Sequence, residues 1–282
     1  MRTISEKMLD DFRRFLIRSE KSDATIAKYM RDLNTFRNYI ITNSDDEEIT
    51  KEKALGFKEY LENNYKISSA NSMLTAVNIF FKYNGWDDCV VKQIKVQRDA
   101  FRCDDRNLTI EEYKRLIRAA NDNGNERLSL AMQTICSTGI RVSELRFITV
   151  EAAECGIAQI TNKGKSRMII LIPLLCDRLL EYAEKKNIKA GSIFLARNGK
   201  PMDRSKIFHE MKNLSEKANV DRCKIFPHNL RHLFASTYYS QERNIVHLAD
   251  ILGHSDINTT RIYTACTVKD QINVIESLNL VE

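Results

Sequence analysis

Five short stretches of the chain carry side chains that could do chemistry together. TGIRVSEL holds Arg141, NKGK holds Lys163, HNLRH holds His228 and Arg231, LGH holds His254, and TTRIYT holds Tyr263. Arginine is a planar fork that grips phosphate oxygens in pairs and stays charged at any working pH. Two such forks can neutralise the nonbridging oxygens of a pentacoordinate phosphorus, a task that metals perform elsewhere. A lysine at a hairpin tip can protonate a leaving oxygen. Tyrosine is an uncommon nucleophile, but its phenolate leaves phosphorus again readily, so a covalent step through it is reversible. The second half of the sequence has no DxD or DDE pattern of the kind that two-metal chemistry uses. The set therefore points to metal-free transesterification at a phosphodiester.

Each stretch alone has a plainer reading. Arg141 could be a surface or capping residue, and Lys163 a solvated turn lysine. His228 and Arg231 could be a salt-bridging pair, Tyr263 a packing residue with a wet hydroxyl, and LGH a helix end with His254 bonded to backbone. Those readings predict no correlation among the five, and the ordered set is what favours a common site. His232, the second histidine of HNLRH, reads as structural. His209 and His247 lie on ordinary helical faces.

The elements that must position these residues follow from periodicity. Over DATIAKYMRDLNTFRNYI, Ile26, Tyr29, Met30, Leu33, Phe36 and Ile40 recur at helical spacing. Met8, Leu9, Phe12, Phe15 and Leu16 mark an earlier stripe. Thr50 and Ser68 are candidate N-caps for two further helices, the later carrying Met73, Leu74, Val77, Phe80 and Phe81. The acidic stretch NSDDEE is a solvated loop between the second and third helices. A bundle of four short helices results. From Trp86 to Asn107 the periodicity fades into polar, charge-rich sequence, a candidate linker. Thr109 to Glu112 fits a capping box, and Gly139 a C-terminal cap. IAQITNKGKSRMIILIPL alternates around a turn at residues 162–165 and predicts a hairpin, with SIFL near Phe194 as a candidate third strand. After Asp203 the pattern is helical, and Pro227 opens a helix that puts His228 and Arg231 on one face. The fold class expected is mainly α with a small β-sheet.

Bulk properties agree with this picture. The chain has 282 residues, 43% of them hydrophobic, with a mean hydropathy of −0.39. That length suits two domains better than one. No apolar run approaches a bilayer's thickness, and the charged start resembles no signal peptide, so a membrane partner and export are not expected. The seven cysteines are scattered with no CxxC, which indicates neither a zinc site nor a disulfide framework. Net charge is +6, split as 17 basic against 15 acidic residues up to Arg98 and 27 against 23 beyond it. A nucleic-acid surface must therefore be assembled by folding, since neither half is a basic tail.

The motifs together make the sequence similar to the tyrosine recombinases, the family of Xer-type resolvases, phage-type integrases and transposon integrases. TGIRVSEL resembles the motif of the family's first catalytic arginine, and Lys163-Gly164 its hairpin lysine and glycine. His228, Arg231, His254 and Tyr263 match the remaining catalytic positions. The resemblance implies a helical, SAM-like core-binding domain over 1–90, a linker over 91–107, and an α+β catalytic domain over 108–282 with a C-terminal exchange tail, together forming a C-shaped clamp on DNA. It implies that Arg141 and Arg231 clamp the scissile phosphate, that His228 helps accept the tyrosine proton, and that His254 bonds a phosphate oxygen. Lys163 protonates the leaving 5′-hydroxyl, and Tyr263 forms a 3′-phosphotyrosine. No cofactor and no metal are implied. The partners expected are double-stranded DNA with an inverted-repeat site, a homotetramer on DNA passing through a Holliday junction, and room for an accessory directionality factor. Lys165 and Arg167 on the hairpin are candidate phosphate contacts, with Lys165 also within reach of the leaving oxygen. The location expected is the bacterial cytoplasm, on nucleoid DNA, and a mobile-element origin fits as well as a host one. Two rivals remain at this point: a type IB topoisomerase-like enzyme, and a DNA-binding regulator that has lost catalysis.

Overall fold

A computed structural model describes residues 2–44, 46–95, 107–162, 165–196, 198–254, 256–260 and 263. The chain divides into two compact units, residues 1–98 and 99–282.

The first unit is built on α1 (Glu6–Arg18), α2 (Asp23–Asn43), α3 (Lys51–Asn64) and α4 (Ile67–Tyr83). Ser5, Ser22 and Thr50 cap the first three by accepting backbone N–H groups that the helices leave unpaired. Ser68 does not serve α4 in this way. The chain leaves α3 through extended Tyr65 and Lys66, so helical geometry already begins at Ile67, and Ser68 falls inside the first turn. The core is aromatic. Phe12, Phe36, Phe57, Phe80 and Phe81 are fully buried, and Phe12 meets Phe80 edge-on at 5.2 Å while Phe36 meets Phe57 at 4.9 Å. Beyond α4 the chain folds back on it. The Asn78 amide donates to the Val91 carbonyl and accepts its N–H, and Asn71 treats Ile94 identically. Two asparagines thus stand in for a neighbouring strand, and Trp86 packs on Phe80 and Phe81. Periodicity fades here because the backbone is extended and satisfied by side chains.

In the second unit, α5 (Ile110–Asp122) opens with the expected box: Thr109 N–H donates to the Glu112 carboxylate and Glu112 N–H to the Thr109 hydroxyl. Next come α6 (Glu126–Thr138), a 3-10 turn at Val142–Phe147 and α7 (Val150–Cys155). Then β1 (Ile157–Asn162) pairs antiparallel with β2 (Lys165–Ile170), with Ile157 opposite Ile170 and Ile160 opposite Arg167. The turn residues Lys163 and Gly164 lie outside the described residues. Ala158, Ile160 and Ile169 face the core, while Met168 and Ile170 face out. SIFL adds no third strand among the described residues. Ile193 and Phe194 are adjacent and both fully buried, but the segment has no continuous ladder partner. The segment plugs the core and makes only isolated bridges, Thr149 to Ser192 and Leu195 to Pro201.

Among the described residues five further helices follow: α8 (Pro173–Lys185), α9 (Arg204–Lys212), α10 (Ser215–Ala218), α11 (Pro227–Glu242) and α12 (Ile245–Leu252). Pro227 occupies the first turn of α11, where its missing N–H costs nothing. Among the described residues no helix is long and apolar enough to cross a membrane.

Gly139 caps α6 at φ +67, and a Cβ there would run into the Phe234 ring of α11 and approach Leu252 of α12 to 3.0 Å. Both the backbone and the packing exclude a side chain. Gly139→Ala should destabilise the second unit by about 1–3 kcal/mol, read as a lower urea midpoint. An unchanged midpoint would show that α11 can shift without cost.

Candidate active site

The site is organised around Arg231, which is 1% exposed and heads the fully buried side chains by size. It projects from the second turn of α11 into the place where two other helices end. One terminal nitrogen donates to the Gly139 carbonyl at the end of α6, at 2.6 Å. The other donates to the Leu252 carbonyl at the end of α12, at 2.8 Å. Both helices stop on a left-handed glycine, Gly139 and Gly253, which leaves their last carbonyls free to accept. A cation belongs at such helix ends, where the dipoles are negative. Burial, then repulsion from Arg141, pulls the Arg231 pKa down to about 10, partly opposed by the neighbouring Tyr263 and Glu144. The guanidinium remains charged at neutral pH.

Arg141 stands between α6 and the 3-10 turn, with its side chain 39% exposed. It is held by Glu144, which is 1% exposed and accepts both the Arg141 backbone N–H at 2.7 Å and its guanidinium at 3.1 Å. Glu144 also takes two hydrogen bonds from Arg167, at 2.7 and 3.2 Å. Burial alone would raise the Glu144 carboxyl. Hydrogen bonds from Arg167 and from the Arg141 backbone, with the charges of both arginines, outweigh burial and hold it below its ordinary value. Arg167 is therefore an internal ion-pair partner here, not the open phosphate contact that the hairpin suggested. The cause is strand alternation: opposite buried Ile160 and between exposed Ser166 and Met168, Arg167 points inward. Its side chain also lies over Gly253, so close that a Cβ at that glycine would collide with it.

His254 follows Gly253. Its Nε2 is 2.8 Å from Arg231 Nη2, and its Nδ1 is 2.8 Å from the hydroxyl of buried Thr260. Burial, followed by repulsion from Arg231, Arg141, Arg167 and His228, lowers its pKa to about 4. The ring is neutral at physiological pH. His228, one residue into α11, is exposed, yet partial desolvation and the charges of Arg231 and Arg141 also lower its pKa. Tyr263 is 5% exposed. Its ring stacks on His254 at 6.1 Å and meets the edge of His232 at 5.0 Å.

Of the residues singled out in the sequence, Arg141, His228, Arg231, His254 and Tyr263 come together at one place in the second unit. Lys163 lies outside the described residues, as does the Lys165 side chain. So does the tail beyond Tyr263. His209 and His247 stay apart: one ring touches Phe208, and the other bonds the Tyr238 hydroxyl at 3.1 Å. Sequence reasoning missed Glu144 and Thr260 and set His232 aside. Glu144 and Thr260 sit within TGIRVSEL and TTRIYT, so distance along the chain to Arg141 and Tyr263 was the available signal.

A helical unit followed by an α+β unit that gathers two arginines, two histidines and a buried tyrosine defines a class whose site is shaped for a phosphodiester. Residues 106–269 match the Phage integrase family, and residues 9–87 match the Phage integrase N-terminal SAM-like domain. The chain belongs to the phage integrase family, the tyrosine recombinases. It is 27% identical to a protein named tyrosine recombinase XerA from Thermococcus kodakarensis over 98% of this chain and 96% of that one. It is 27% identical to a tyrosine recombinase XerD from Staphylococcus aureus over 92% and 94% of the two chains. In fold it resembles lambda integrase solved as a tetramer bound to a Holliday junction, with a TM-score of 0.72 and 18% identity, covering 91% of this chain and 76% of that one.

Glu144 gives a pH-linked prediction. A carboxyl held low in the folded protein contributes stability that is complete above its ordinary value of 4.5 and is lost as pH falls through the folded value. Glu144→Gln should lower the unfolding free energy at pH 7 by about 2–5 kcal/mol, since it leaves buried charge uncompensated. The gap from wild type should close as pH falls below 4.5 and through the lower folded value. Urea titrations across pH would show it, and a gap that stays constant would mean the ion pairs contribute nothing.

Proposed function

We propose that this tyrosine recombinase is a site-specific DNA recombinase whose strand cleavage and rejoining run through Tyr263. The observation that carries the reading is the convergence of Tyr263 with Arg231: the buried Tyr263 ring stacks on His254, whose Nε2 is 2.8 Å from Arg231 Nη2, so the attacking residue lies beside the guanidinium placed to grip a phosphate. Arg141 and Arg231 bind the nonbridging oxygens of the scissile phosphate and neutralise charge as phosphorus becomes pentacoordinate. Neither needs to be brought in, because Glu144 and two helix ends hold them beforehand. His228, neutral at physiological pH, accepts the tyrosine proton. His254 bonds a phosphate oxygen. Lys163 protonates the departing 5′-oxygen, and Tyr263 is left joined to the 3′-phosphate. Attack by a 5′-hydroxyl from a second duplex reverses the step and exchanges strands.

The proposal extends to organisation. A SAM-like helical domain over 1–90 and a catalytic domain over 108–282, joined by 91–107, close as a clamp on duplex DNA. Lysines and arginines on the inner faces, Lys165 among them, supply salt-dependent affinity, while Arg167 acts from within through Glu144. Four copies assemble on two inverted-repeat sites and pass through a Holliday junction, in the bacterial cytoplasm, with an accessory factor setting direction where one is used.

A nicked suicide substrate tests the nucleophile. Covalent protein–DNA adduct should form in excess EDTA, since the arginines supply the positive charge. Tyr263→Phe should bind the same DNA and form none. An adduct from the variant would mean that another residue attacks.

Sulfur in place of the bridging 5′-oxygen tests the acid, because a thiolate leaves without needing a proton. Lys163→Ala should slow cleavage of ordinary DNA by about 10²–10⁴-fold and approach wild type on the sulfur substrate. Arg141→Ala should stay slow on both. Sulfur rescue of Lys165→Ala instead would move the acid two residues along the hairpin.

A further inference from the structure

The His254 ring is held by two partners of different kinds, and that difference fixes where its hydrogen sits. A guanidinium has only donors, so Arg231 Nη2, at 2.8 Å, must give its hydrogen to a lone pair on His254 Nε2. A neutral imidazole carries one hydrogen, which therefore lies on Nδ1 and is donated to the Thr260 hydroxyl at 2.8 Å. The ring is neutral because burial and four positive or polarising neighbours, Arg231, Arg141, Arg167 and His228, disfavour a second proton. Thr260 is fully buried, whereas His254 is only half-buried, so the ring can still exchange protons with solvent.

This tautomer suits the DNA-free protein and is the wrong one for the role assigned to His254 above. To bond a phosphate oxygen, Nε2 must carry a hydrogen. When a phosphate oxygen takes the Arg231 hydrogen, the Nε2 lone pair faces an anion instead of a donor, and repulsion replaces attraction. A second proton on the ring would meet the surrounding arginines. The alternative leaves the ring's charge unchanged: Nδ1 gives up its proton to water, Nε2 takes one from water, and Nδ1 becomes an acceptor. The partner at Nδ1 must then donate where it had accepted. A backbone carbonyl or a carboxylate cannot do so. A hydroxyl, with one hydrogen and two lone pairs, does it by rotating about a single bond.

We propose that Thr260 is a positioning residue whose hydroxyl lets His254 exchange tautomers, accepting from Arg231 without DNA and donating to the phosphate with it. The inference about the bound state rests on the function proposed above. The free-state tautomer does not, because it follows from the two hydrogen bonds alone.

Nitrogen-15 NMR of the histidine rings reads the tautomer directly, with the His254 signals assigned by their loss in His254→Gln. In the free protein Nδ1 should show the shift of a protonated nitrogen and Nε2 that of an unprotonated one. In Tyr263→Phe bound to an uncleaved half-site duplex the two should interchange. Thr260→Ser should behave as wild type. Thr260→Val, nearly the same size but without the hydroxyl, should bind the half-site as wild type does yet cleave a saturating suicide substrate about tenfold more slowly or worse, the loss of roughly one hydrogen bond in the transition state. Protonated Nε2 in the free protein, an unchanged or doubly protonated ring on DNA, or wild-type cleavage by Thr260→Val would each overturn the proposal. Should Thr260→Val fold poorly, Thr260→Ser and the two wild-type spectra still decide it. Failure of the wild type to cleave any DNA would instead overturn the functional reading and leave the free-state tautomer standing.

Discussion

A permanently charged guanidinium taken out of water is the constraint on which the second unit depends. Stripping an ion of its hydration costs several kcal/mol even after the protein relaxes, so Arg231 can be buried only where acceptors already converge. The acceptors are the carbonyls at the ends of α6 and α12. Gly139 and Gly253, both at positive φ, stop the helices there and leave those carbonyls free. The glycine at 139 does double duty, since its missing side chain also lets Phe234 of α11 approach. Helix ends, glycines and arginine are therefore one device, and removing any part leaves another unsatisfied.

Around that device the charges are arranged to leave a deficit. Glu144 is shared by Arg141 and Arg167, and Arg231 is met by neutral carbonyls and a neutral imidazole. Burial, and after it the charges of Arg231 and Arg141, makes both histidines resist protonation. A site in this state is preorganised for an anion: its dipoles and cations are fixed before the ligand arrives, so little reorganisation is left for the transition state. Arg167 ties the arrangement together. It leaves the hairpin strand β2, pairs with Glu144 beside the first arginine, and packs over Gly253 next to His254. The hairpin that carries Lys163 is thereby docked onto the elements bearing Arg141 and His254.

The first unit follows a simpler rule. Its core of edge-on phenylalanines needs no charge, and its side-chain amides at Asn71 and Asn78 close the backbone hydrogen bonds of the chain that follows α4. Nothing in it depends on the glycine-terminated helix ends that organise the catalytic unit.

The sequence by itself determined the elements and the chemistry. Apolar spacing marks α1 to α4, Thr109 and Glu112 mark the start of α5, Gly139 the end of α6, and alternation the hairpin, because these signals act over a few residues. The five motifs show which groups could act on a phosphodiester, because residue types carry their own acidity, charge and hydrogen-bonding capacity wherever they lie. Tertiary structure decided what those groups face. Ser68 looked like a cap until the extended chain at Tyr65 and Lys66 started α4 before it, and SIFL looked like a strand until the fold gave it only isolated bridges in place of a ladder. Arg167 read as a candidate phosphate contact from its place on the hairpin, and strand pairing turned it onto Glu144. The tautomer of His254 was equally invisible, since Arg231 and Thr260 reach it from 23 and 6 residues away. Burial, pairing and the direction of a hydrogen bond are properties of neighbours, and neighbours are assigned only when the chain folds.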